Sequence, residues 1–156
     1  MERSSSTMQL TRAADYAVRV MVHLAALPEH QRALLPALAR ATGAPESFLS
    51  KVLQALCHAG FIASRRGQTG GFEILSPGRL ASLRAVIEAV DGPIRLNVCM
   101  LSGASCDRKP YCPAHSVWGR AQKAMLEVLD KASVTEMAAE AAAPQAQLST
   151  AKSNPA

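Results

Sequence analysis

The chain has 156 residues, of which 49% are apolar and 4% aromatic, and carries a formal net charge of +5 at pH 7. That length suits one compact domain with an extension or tail, and so apolar a composition excludes wholesale disorder. With few aromatics the core must be built from Ala, Val, Leu, Ile and Met, which favours packed helices over a β-sandwich; the modest basic excess is compatible with DNA, RNA or an anionic membrane.

In chain order, residues 1–9 read as a flexible leader without the basic-then-apolar order of a signal peptide. No apolar run reaches membrane-spanning length, because Arg, His, Pro or Asp breaks each one, and a cytoplasmic setting without a membrane is expected. From Thr11, a candidate N-cap, apolar residues recur at Ala14, Ala17, Val18, Met21, Val22 and Ala25, which is helical spacing with one buried face, ended by Pro28. A second helix is expected from Leu35 to Ala41, stopped at Thr42-Gly43. A third opens at Pro45-Glu46, carries the stripe Phe48, Leu49, Val52, Leu53 and Leu56, and closes at Gly60. Helix, glycine-containing turn and helix make a helix-turn-helix.

Two β-capable runs, residues 61–66 and 72–75, then flank the turn Gly67-Gln68-Thr69-Gly70-Gly71, with Arg65 and Arg66 near the tip. A hairpin directly after two such helices reads as a DNA-binding wing. A short helix spans Ser82 to Val90, ended by Asp91-Gly92-Pro93. Residues 94–113 lack a period, and helical spacing returns from His115 to Lys131 with Val117, Trp118, Ala121, Met125, Val128 and Leu129 on one face. Such a stripe at the end of a small domain is a common means of twofold dimerisation. Expected fold: mainly α with a small β-hairpin, a winged helix-turn-helix over 10–92, a cysteine loop over 93–114, a dimerisation helix region over 115–138 and a disordered tail over 139–156.

The chemistry is concentrated in Cys99, Cys106, Cys112 and His115, with gaps of six, five and two residues. Thiolates are soft donors that bind iron–sulfur clusters and zinc alike. Structural zinc sites group their ligands as paired short knuckles, and this loop has only one tight pair, so spacing places a cluster modestly ahead of zinc, with a thiol/disulfide switch as a further alternative. Cys57, in the third helix, reads as a small core hydrophobe, and His23, His30 and His58 show no partner pattern. There is no phosphate-binding glycine loop, nucleophile–base pair or suggestive carboxylate pair, so an enzyme is not expected.

Residues 8–137 resemble the family of iron–sulfur winged-helix regulators that includes IscR and NsrR. The resemblance is carried by Met8-Gln9-Leu10-Thr11, Asp15-Tyr16-Ala17, the helix-turn-helix around Gly43, the wing Arg66-Gly67-Gln68-Thr69-Gly70-Gly71-Phe72, and the Cys99/Cys106/Cys112 loop with its following helix. The family more often has five residues in the first cysteine gap, against six here. The resemblance implies three cysteine ligands and a fourth that is not cysteine. His115 matches the histidine that completes a 2Fe–2S site in one branch and is favoured. Asp15 matches the acid that completes a 4Fe–4S site in another, reaching across from the other subunit. A weak fourth ligand suits a sensor of redox state, iron status or nitric oxide.

In a helix-turn-helix the second helix enters the major groove, so Ser47, Ser50 and Lys51, between the apolar Phe48, Leu49 and Val52, are the expected base and phosphate contacts. The resemblance implies that Arg66 enters a minor groove; Arg65 is the expected phosphate contact. A homodimer would read a roughly palindromic double-stranded DNA operator, acting as a repressor or an activator.

Overall fold

The computed structural model describes residues 10–100 and 108–143. Helix α1 (Arg12–Ala26) forms where expected: the Thr11 hydroxyl accepts the Ala14 N–H at 3.2 Å, and Pro28 follows its end. Its fully buried face is Ala14, Ala17, Val20, Met21 and Leu24, rotated from the expected stripe, with Val18 and Ala25 at the margin. The rotation arises because α1 is the centre of the fold and is wrapped on several sides. Around it pack α2 (Leu35–Thr42), α3 (Glu46–His58), α5 (Leu83–Asp91) and α7 (Val134–Ala142). Gly43 ends α2 at φ 71°, a left-handed position that a side chain with a Cβ adopts only at a cost.

Strands β1 (Ile62–Arg65) and β2 (Gly71–Ile74) form the antiparallel hairpin, with Ile62 opposite Ile74 and Arg65 opposite Gly71. An isolated two-stranded ribbon is marginal in water. This one is tethered by its buried end residues Ile62 and Ile74 and by a bridge to the α1–α2 connection. There the Ala33 N–H donates to the Phe72 carbonyl (3.0 Å) and the Phe72 N–H to the Ala33 carbonyl (2.9 Å). Gly71 permits the approach, since a Cβ there would lie 2.8 Å from the Ala33 oxygen.

A helix not anticipated from periodicity, α4 (Ser76–Leu80), turns the chain back towards α5; Pro77 starts it, and five residues are too few to show a period. Helix α5 is capped by Ser82, whose hydroxyl accepts the Ala85 N–H. A 3₁₀ turn (Val98–Met100) leads to residues 101–107, which lie outside the described set, and α6 (Pro113–Lys131) follows. Proline in its first turn starts α6 two residues earlier than the sequence suggested.

The single region expected over 115–138 is two helices. The break follows from Ser133: its hydroxyl accepts the Glu136 N–H (3.2 Å), while the Glu136 carboxylate accepts the Ser133 hydroxyl (2.8 Å) and N–H (3.1 Å). Beyond that cap, α7 folds back onto α1 and buries Val134 and Ala138. It extends to Ala142, past the expected tail boundary at 139; residues 144–156, like the expected leader 1–9, lie outside the described residues.

These hydrogen bonds, the side-chain one foremost, lower the pKa of Glu136. A depressed carboxyl contributes stability that is present above its unfolded pKa and lost as pH falls through the folded value. Ser133→Ala is therefore expected to cost about 1 kcal/mol at neutral pH in urea unfolding, and to remove this acid-side loss.

Candidate nucleic-acid interface and cysteine segment

Helix α3 divides into two faces. Leu49, Val52, Leu53 and Leu56 are buried, each contributing roughly 1.5–3 kcal/mol of apolar burial. Opposite them Ser47, Lys51, Gln54 and His58 are exposed at i, i+4, i+7 and i+11, a polar ridge along the whole helix. Ser47 and Lys51, two of the residues proposed from the sequence, are exposed on this ridge. Gln54 and His58 extend the surface and were missed, although the same periodicity that defined the apolar stripe also defines its opposite.

Phe48 departs from the expected burial: it is 38% exposed and its ring stands edge-on to Tyr16 of α1, centroids 5.7 Å apart. Ser50 is half-buried, and its hydroxyl donates back to the Glu46 carbonyl at 3.0 Å. Its proton is thus engaged within the helix, leaving lone pairs for a partner. No side chain caps α3, whose N-cap is Pro45, so Ser47 does not serve that role.

Between α3 and the wing runs an open groove of about 530 Å³, lined by Ser50, Gln54, Cys57, His58, Ser64 and Phe72 among others. Burial pushes the Cys57 thiol up, and a hydrogen bond with Ser64 offsets part of that shift. A thiol held protonated is a weak nucleophile and a poor metal ligand, consistent with its expected packing role. Arg65 ends β1 and Arg66 follows it, both exposed; the turn beyond closes with the Gly70 N–H donating to the Gly67 carbonyl at 2.9 Å. The arginines thus sit on the shoulder of the wing, with Thr69 and Gly70 on its far side.

Asp15 lies in the first turn of α1, 50% exposed, with its carboxylate 2.7 Å from Arg19. Arg19 in turn donates to the Thr42 carbonyl at the end of α2 (3.1 Å) and lies 5.9 Å from the Tyr16 ring centroid. Within one protomer, therefore, Asp15 is engaged with a cation at the helix-turn-helix.

Cys99 lies in the 3₁₀ turn and Cys112 is the N-cap residue of α6; both are free and half-buried, while Cys106 falls outside the described residues. The segment before Cys99 is pinned from two helices: the Ile94 N–H donates to Glu88 of α5 (3.1 Å) and the Leu96 N–H to Gln122 of α6 (3.0 Å). Helices α5 and α6 are joined by Arg84, which bonds Glu88 and Asp130, so that its guanidinium is held charged. Among the described residues no three His, Cys, Asp or Glu side chains stand together as a metal site.

One observation nevertheless suits the donor set. His115 donates its N–H to the Cys112 carbonyl (3.1 Å), and its ring Nδ1 is buried without a hydrogen-bond partner among the described residues. An unpaired buried nitrogen costs about 1–3 kcal/mol unless an acceptor, a water or a metal engages it. Helix α6 itself has no buried residue; Val117 is 49% exposed and Val128 68%. No described helix is long and apolar enough to cross a membrane.

Comparison with known proteins agrees with this architecture. The Rrf2 family model, described as an iron-dependent transcriptional regulator, matches residues 10–140. The protein aau3 of Rhizobium meliloti (strain 1021) is 30% identical over 131 residues, covering 83% of this chain and 84% of its own. Among solved structures, CymR, the global cysteine regulator of B. subtilis, superposes with a TM-score of 0.69 at 23% identity, covering 86% of this chain and 98% of its own. IscR of T. potens gives a TM-score of 0.66 at 25% identity, covering 85% and 88%. The chain belongs to the Rrf2 family and is a DNA-binding transcriptional regulator of winged-helix fold, not an enzyme.

Proposed function

We propose that the protein is a cytoplasmic homodimer that binds a roughly palindromic operator and whose affinity is set by an iron–sulfur cluster. The observation that carries the sensing part is the buried His115 ring nitrogen, unpartnered among the described residues, at the base of α6 and one turn from Cys112. Cys99, Cys106, Cys112 and His115 would hold the group, with Asp15 of the other subunit as the alternative fourth ligand. When bound, such a cluster supplies an iron site whose oxidation, loss or reaction with nitric oxide changes the charge and ligation of the loop. The Glu88 and Gln122 hydrogen bonds would pass a change in that loop to α5 and α6. The exposed Val117 and Val128 make α6 the proposed dimer face. The α3 ridge would enter the major groove, Arg66 a minor groove, and Arg65 would meet a phosphate.

Anaerobic purification with iron, sulfide and zinc quantitation tests the reading. Iron with matching sulfide and visible thiolate-to-iron absorption is the expected outcome, diminished by His115→Ala without loss of fold. A colourless protein with one zinc per chain would favour the same four donors as a zinc site, because three thiolates and an imidazole also satisfy tetrahedral zinc. Operator affinity equal with and without the group would remove the regulatory claim.

A further inference from the structure

The wing is held by a charged cluster that none of the roles above uses. Glu73, on β2, has only 16% of its side chain exposed, and two residues of the α1–α2 connection converge on it. His30 Nδ1 lies 3.0 Å from one carboxylate oxygen and Arg32 Nε 3.2 Å from the other. Arg32 also donates through Nη1 to the Thr69 carbonyl at 2.9 Å. One guanidinium therefore grips both the return strand and the turn that follows Arg66. His30 adopts φ 62°, the only non-glycine residue in that region among those described, and its bond to Glu73 offsets the disfavoured backbone. Hydrogen bonds from His30 and then Arg32 pull the Glu73 carboxyl below its usual range, against the opposing effect of burial. Glu29 and Arg79 line the same pocket, and Arg79 is engaged with the Ala25 carbonyl at 3.1 Å.

A hairpin of four-residue strands does not hold its own angle to the body, and the bonds that set it must come from outside. We infer that Arg32, with His30 and Glu73, is a positioning residue for operator recognition: it fixes the wing so that Arg66 meets the DNA. Arg32 acts through the wing rather than on a base: its side chain is 23% exposed, with Nε engaged by Glu73 and Nη1 by the Thr69 carbonyl. The inference rests on the DNA-binding reading, with the brace itself standing on geometry alone.

Two readouts separate the parts. In hydrogen–deuterium exchange of the full-length protein without DNA, Arg32→Ala and Glu73→Gln should each speed exchange across residues 66–70 about tenfold, with α1 and α3 unchanged. Unchanged wing exchange would overturn the brace. For recognition, a duplex selected by the wild-type protein from a random-sequence pool serves as the probe. Arg32→Ala should weaken its binding about tenfold, and adding Arg32→Ala to Arg66→Ala should cost little more, since both act through the same contact. Arg32→Lys, which keeps the charge but cannot form the fork, should bind nearly as weakly as Arg32→Ala. Additive losses, or wild-type affinity in the lysine variant, would make Arg32 a simple charge and overturn the inference. If the wild-type protein selects no duplex, the DNA-binding reading falls and the exchange experiment alone judges the brace.

Discussion

Gly78→Ala is expected to destabilise the protein by about 3 kcal/mol or more, read as a lowered urea midpoint at unchanged slope. A Cβ at Gly78 would lie 2.2 Å from the Phe61 carbonyl oxygen, 2.9 Å from its carbon and 3.0 Å from the Met21 methyl. Met21 can shift, but the carbonyl is backbone at the head of the wing and accepts the Leu75 N–H at 2.9 Å. Nor can α4 retreat freely, because Arg79 bonds the end of α1 and the Thr135 hydroxyl of α7 donates to the Arg79 carbonyl at 2.7 Å. The clash must move several elements together. Gly43 supplies the contrast: its φ is 71° but nothing lies within 4 Å of a Cβ there. Gly43→Ala should therefore cost only the left-handed backbone penalty, about 1 kcal/mol. Equal losses at the two positions would show that the Phe61 contact does not govern the fold here.

The combined variant Lys51→Ala/Arg66→Ala is expected to weaken operator binding about 100-fold or more at fixed salt. Lys51 lies on the polar ridge of α3 and Arg66 on the wing, so under the proposed binding mode they would act on different parts of the duplex and their losses should add. Both side chains are exposed and stand outside the core, so unfolding should be unaffected. A variant that neutralises fewer phosphates also releases fewer counterions. The dependence of log affinity on log salt should therefore flatten by about one unit for each phosphate left unneutralised. Retained affinity at both low and moderate salt would mean that this face of the protein does not read DNA.

Which features were legible in the sequence depended on whether the deciding interactions were local. Thr11, Gly43 and Gly60 announce helix ends because a cap or a left-handed residue needs only its neighbours along the chain. The hairpin was legible for the same reason, and its observed strands lie within one residue of the expected runs. Helix α4 was hidden by its shortness, whereas the α6/α7 break was legible in Ser133-Val134-Thr135-Glu136, a Ser-x-x-Glu helix-start signature that a reading by apolar period alone passes over. Phe48 lies at the edge of the apolar stripe, so only the Tyr16 ring, from another helix, decided that it stays partly exposed. The site shows the same division. The ridge Ser47-Lys51-Gln54-His58 could have been read in full from periodicity, whereas the engagement of Ser50 with Glu46 and of Asp15 with Arg19 required coordinates.

The order of elements, the wing and the candidate thiolate donors were determined by the sequence itself, through short-range rules of spacing, capping and turn chemistry. Tertiary structure alone decided what holds those parts in place. Glu73 meets Arg32 from 41 positions away, and Gly78 meets Phe61 because two turns of the chain cross there. Such contacts depend on how helices pack around α1, a collective outcome of burying apolar surface that carries no local pattern in the sequence.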